Sequence, residues 1–184
     1  MLIENFLKEN KISMYELAQK ADLPYATIHN ICSGQTDIRQ CSYDTVDKIA
    51  TALKLPIRDV VLLCKKNYSF SMFKSAYRHK AKIQGEIDFV IEILQSDDVK
   101  RYWRLHMYKE AFYLVAMTDY FSRKNNINIF SGFDEIRSCK LKNKLYSSDV
   151  LIEYKLTHDD AVLVNAEKKA IPEFLKYNIV EGGF

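Results

Sequence analysis

The chain has 184 residues, 48% hydrophobic and 12% aromatic, which excludes general disorder and allows one large domain or two small ones. Only 5 Gly and 3 Pro interrupt a chain rich in Leu, Ile, Lys and Glu, a balance that favours long helices over many short strands. The formal net charge is +3, but residues 1–65 carry eight basic and eight acidic side chains, so strong non-specific polyanion binding is not expected of the N-terminal part.

Leu2 to Asn10 carries Ile3, Phe6 and Leu7 at helical spacing. Ser13 reads as an N-cap, with Glu16 three residues on completing a capping box. From Ser13 to Gly34, two short amphipathic segments flank a tight turn at Asp22-Leu23-Pro24. The first turns Leu17, Ala18 and Ala21 inward; the second turns Ile28 and Ile31 inward and stops at Ser33-Gly34. This is helix-turn-helix spacing, in which a small residue lets two helices cross closely while the second faces outward. Pro24 suits the start of that second helix. The loop from Gly34 to Ser42 is longer than a minimal connection. Tyr43 to Lys54 follows as a helix with Val46, Ile49, Ala50 and Leu53 on one stripe, and Pro56 opens a short helix through Val60 and Leu63. Residues 1–64 are thus expected to form a five-helix bundle.

Residues 65–71, KKNYSFS, read as a linker, and residues 72–184 as a second all-helical bundle domain for dimerisation or partner binding. In that domain Phe73, Tyr77, Ile83, Ile87, Val90, Ile91 and Leu94 recur at helical spacing, a pattern that ends near Ser96-Asp97. Val99 to Asn125 is another long helical region with a break near His106, its core drawn from Tyr102, Trp103, Phe112, Val115, Ala116, Tyr120 and Phe121. After a loop to Phe133 come a short helix around Asp134 to Leu141 and one or two helices up to Val180, turning near His158-Asp159, with Pro172 early in the last. The four cysteines (Cys32, Cys41, Cys64, Cys139) form no CxxC pair and no ligand-like spacing with the histidines, so no zinc site is expected. Free thiols, no apolar leader and no apolar run near ~18 residues point to a cytoplasmic protein without a membrane anchor.

The pattern Ser13-x-x-Glu16-Leu17-Ala18, Thr27-Ile28-x-x-Ile31-x-x-Gly34 and Ile49-Ala50-x-x-Leu53 resembles the lambda-repressor-like, XRE-type (Cro/repressor) helix-turn-helix family over residues 1–64. The segment GQTDIRQCS resembles a bacterial subgroup of these regulators. The resemblance implies a five-helix domain whose third helix enters the major groove. It places Tyr25, Ala26 and Asn30 at base edges, with His29 beside them. The Asn30 amide could pair bidentately with adenine, and His29 could donate to a guanine acceptor or a phosphate. It assigns phosphate contacts to Ser13, Thr27 and the amides at the start of the second helix, and further backbone contacts to Gln35, Thr36 and Arg39. The sequence departs from the pattern at Pro24, in place of the common Ser or Thr cap, and at Met14. It also has no Arg or Lys on the recognition helix. The alternative for these residues is a bundle that keeps its core and has lost its DNA contacts.

Constellations of enzymatic type are weak. Arg101 and His106 have the Arg-x4-His spacing of a helical family of metal-independent ribonucleases, but seven arginines and four histidines produce such a pair readily by chance. His158-Asp159-Asp160 fits a turn or helix cap better than a metal doublet. The basic run Lys74, Arg78, His79, Lys80 and Lys82 reads as a solvated helix face, with phosphate contact or acidic-partner docking as the alternative. The expectation is therefore a non-enzymatic transcription regulator needing no cofactor or metal, a repressor binding double-stranded DNA as a homodimer. The alternative is the antitoxin of a toxin–antitoxin pair, autoregulating its operon and neutralising a protein toxin through the C-terminal domain.

Overall fold

The computed structural model describes residues 2–183 and divides the chain into two compact units, residues 1–69 and 70–184. Thirteen α-helices lie among the described residues, which hold no β-strand, only a parallel bridge between Leu145 and Ile179.

The first unit contains α1 (Leu2–Glu9), α2 (Met14–Lys20), α3 (Tyr25–Cys32), α4 (Tyr43–Leu53) and α5 (Ile57–Leu63), with a 3₁₀ turn at Ile38–Gln40 between α3 and α4. Local chemistry sets these boundaries. Ser13 accepts from the Glu16 amide while the Glu16 carboxylate accepts from the Ser13 amide, closing the capping box that starts α2. Asp22 takes the left-handed region (φ 49°) at the turn, and Gly34 does so (φ 74°) just past α3. A side chain at position 34 would be strained. Ser42 caps α4, which ends on a left-handed Lys54. The core gathers Ile3, Phe6, Leu7, Leu17, Ala18, Ala21, Ile28, Ile31, Ile38, Val46, Ile49, Leu53, Val60 and Leu63, all buried. Helix α2 packs on both α3 and α4, while α5 packs on α1 and α4.

The second unit contains α6 (Phe70–Gln84), α7 (Glu86–Gln95), α8 (Asp98–Arg104), α9 (Tyr108–Lys124), α10 (Asp134–Arg137), α11 (Ser148–Thr157), α12 (Asp160–Lys168) and α13 (Pro172–Leu175). Helix α9 is its axis. Every residue from Glu110 to Asp119 is buried, as expected of a helix enclosed on all sides by α6, α7, α8, α10 and α13. Edge-on aromatic contacts knit this core: Phe73 to Tyr102, Phe89 to Phe121, and Tyr113 to Phe174. The buried ends of Asp119 and Arg137 meet in a two-pronged ion pair, Nε–Oδ2 2.9 Å and Nη2–Oδ1 2.8 Å.

Two sequence patterns fall differently in the structure. Ile83, Ile87 and Ile91 are exposed, whereas Phe89 and Ile93 fill the core beside Val90. The reason is Gly85, which takes φ 93° between α6 and α7, folds the two back on each other and resets the apolar phase. The basic run is a solvated face only in part, at exposed His79 and Lys82. Lys74 and Arg78 pair with buried Glu181, and Lys80 pairs with Glu92. His106 (φ 55°) does break α8 from α9, and its ring shares a 2.6 Å hydrogen bond with the Tyr108 hydroxyl. His158 ends α11 in the left-handed region and Asp159 caps α12, accepting from the Ala161 amide.

Candidate nucleic-acid interface

Helix α3 buries Ile28, Ile31 and Cys32. At 3.6 residues per turn, Tyr25, Ala26, His29 and Asn30 share an arc of about 140° facing away from Ile31. Tyr25 (49% accessible) and Ala26 are exposed, while His29 and Asn30 are half-buried. The Tyr25 and His29 rings lie 6.0 Å apart. Among the described residues the side chains of His29 and Asn30 make no hydrogen bond. The fold instead uses the Asn30 carbonyl, which accepts from the Thr36 amide (2.9 Å) and the Ser33 hydroxyl (3.3 Å). The amide edge of Asn30 is therefore available for another hydrogen-bonding edge, and the loop carrying Gln35 and Thr36 is tied to the end of α3.

The start of α3 is open in a complementary way. Pro24, as N-cap, supplies no side-chain acceptor. Its carbonyl takes the amides of Thr27 and Ile28, leaving those of Tyr25 and Ala26 without an acceptor among the described residues. Two unpaired N–H groups at the positive end of an eight-residue helix attract a phosphate oxygen. Thr27 is half-buried at the edge of the outer arc, beside them.

The other residues expected at phosphates are placed differently. The Ser13 hydroxyl donates to Glu16 (3.0 Å) while accepting from its amide. Bonds from the Ser13 amide and then its hydroxyl hold the Glu16 carboxyl below its usual range. Ser13 is thus occupied and sits beside a carboxylate, which disfavours a phosphate there. Arg39 is exposed but forks onto Asp37, with Nε at 3.0 and 3.1 Å and Nη2 at 2.5 Å. The guanidinium and then the Arg39 amide lower the Asp37 carboxyl to about 2. The pair is a surface zwitterion whose cation keeps solvent-facing donors.

Two exposed tyrosines escaped the sequence reading. Tyr15 in the first turn of α2 lines a shallow cleft of about 380 Å³ with Gln19, Pro24 and Tyr25, and Tyr43 stands in solvent at the first position of α4. Their signal was a large amphipathic residue off the apolar stripe, immediately after a helix cap.

No helix among the described residues is long and apolar enough to cross a membrane. Residues 3–63 match the family model of the Cro/C1-type HTH DNA-binding domain. No curated protein and no solved structure matches the chain.

Proposed function

We propose that this chain, a transcription regulator whose residues 3–63 are its Cro/C1-type DNA-binding domain, is a repressor acting as a homodimer on a palindromic operator in the cytoplasm. The outer arc of α3 carries this reading: Tyr25, Ala26, His29 and Asn30 offer side chains that the fold does not consume, next to two open amides. Those four residues read bases, with the Asn30 amide suited to adenine. Thr27, Gln35, Thr36, Arg39 and the Tyr25 and Ala26 amides hold phosphates, joined by Tyr15 and Tyr43; Ser13 serves the capping box instead.

The electrostatics argue for two copies. The DNA-binding part is formally neutral and has no Arg or Lys on α3, so counterion release contributes little. A single small module buries too little DNA surface to offset this, and a symmetric dimer doubles every contact. A repressor then acts by occupying the operator.

Selection of bound fragments from genomic DNA, followed by footprinting, tests the reading. The expected product is an inverted repeat with half-sites about one helical turn apart, ~34 Å, protected on one face. Recovery of fragments with no shared motif would sink it in favour of a bundle without DNA-reading function.

A further inference from the structure

Helix α3 reads YATIHNIC, and that composition restricts which bases its outer arc can address. Guanine is recognised in the major groove chiefly by Arg or Lys bonding O6 and N7 together. Helix α3 has neither residue, and the cations flanking it in the chain, Lys20 and Arg39, do not fill the gap. Lys20 lies about 140° around α2 from Tyr15. The cleft between α2 and the start of α3 is lined by Tyr15, Gln19, Asp22 and Tyr25, with no cation. Arg39 is held by Asp37 on the loop beyond the helix. His29 does not replace them, because one imidazole nitrogen meets one acceptor at a time, and guanine and adenine both present N7.

What the arc does offer matches adenine and thymine. The Asn30 side chain, which makes no hydrogen bond among the described residues, pairs one donor with one acceptor, the complement of adenine N7 and N6. Ala26, on the same arc one turn nearer the start of the helix, is exposed and presents only a methyl. Tyr25 beside it exposes its ring. Such groups contact the C5 methyl of thymine, the apolar group that a base pair shows in the major groove. Ala26 and Asn30 are ~6 Å apart along the helix axis, against ~3.4 Å between stacked pairs, so they address different pairs. Ser33, exposed beyond them, spends its hydroxyl on the Asn30 carbonyl and ends the reading surface.

We propose that the base pairs under α3 in each half-site are A·T, with Asn30 on adenine N6 and N7 and with Ala26 and Tyr25 on thymine methyl groups. The proposal rests on the reading of α3 as the base-reading helix and names the bases it reads.

Selection of duplexes from a random library by the full chain, followed by base-analogue scanning of the selected site, tests it. Each half-site should carry A·T pairs where the major groove is protected. Deoxyuridine in place of thymine removes only the methyl and should weaken binding about three- to fivefold at the contacted positions. Ala26→Gly and Tyr25→Ala should each abolish that sensitivity at one position. Exchange of the Asn30 pair for inosine·cytosine keeps the minor groove but gives the major groove a guanine-like edge. It should cost about tenfold, and Asn30→Ala should remove the penalty. If Ala26→Gly or Tyr25→Ala lowers the melting temperature, the deoxyuridine scan with the native chain decides. A library that yields no shared motif overturns the base-reading role of α3 and this proposal with it. Protected G·C pairs, or A·T pairs indifferent to both deoxyuridine and the inosine exchange, overturn only the A·T assignment and leave α3 as a DNA reader.

Discussion

Replacing Asn30 and His29 by Ala separates base reading from folding. In the fold, Asn30 contributes its carbonyl, which alanine keeps, and the His29 side chain makes no hydrogen bond among the described residues, its ring lying 6.0 Å, centroid to centroid, from that of Tyr25. The melting temperature should therefore stay within about 2 °C of the native value, as for surface substitutions worth under ~0.5 kcal/mol. On DNA the loss is larger. A bidentate amide–adenine pair discriminates by about 1–3 kcal/mol, so Asn30→Ala alone should weaken the specific complex by roughly 5- to 150-fold per half-site. A symmetric operator squares that factor. Binding to scrambled duplex depends on phosphate contacts that both variants retain and should change less than about twofold. Fluorescence anisotropy on selected operator and scrambled duplexes, over a salt series, reads both quantities. Base reading by His29 and Asn30 is refuted if the double variant keeps its operator preference, or if specific and non-specific binding fall together.

Other outcomes follow from the same geometry. Arg137→Met strands the buried Asp119 carboxylate and should destabilise the second unit by about 3–5 kcal/mol in urea unfolding. The Asp37 carboxyl is depressed to about 2 by Arg39, so its contribution is complete above the unfolded-state value of about 3.9 and is lost as pH falls through about 2. An NMR titration of Asp37 with a midpoint near 4 would contradict the fork. Burial, with Glu4 second, pushes the Cys32 thiol up to about 11, and burial pushes Cys64 higher still. Thiol labelling of native protein at pH 8 should thus take exposed Cys139 first and reach Cys32 and Cys64 only on unfolding. A fragment of residues 1–69 should sediment as a monomer and bind operator far more weakly than the full chain; a dimeric fragment would contradict dimerisation through the second unit.

Much of the first unit is legible in the sequence because its information is local. Capping at Ser13 and Glu16, the turn at Asp22, the glycine at 34 and the apolar stripes of α2 to α4 each act within about a turn of helix. The outer arc of α3 is legible for the same reason, since 3.6-residue periodicity sends Tyr25, Ala26, His29 and Asn30 to one side once Ile28 and Ile31 go to the other. Tertiary structure decided what periodicity leaves open. Ile83, Ile87 and Ile91 repeat as well as any core stripe, yet the left-handed Gly85 rotates the chain between α6 and α7 and gives the core to Phe89 and Ile93. Which carboxylate neutralises a cation also depends on partners far along the chain, as Glu181 does for Lys74 and Arg78 across more than 100 residues. Spacing ranks side chains by the face they share, whereas burial and ion pairing depend on what the rest of the chain brings against that face.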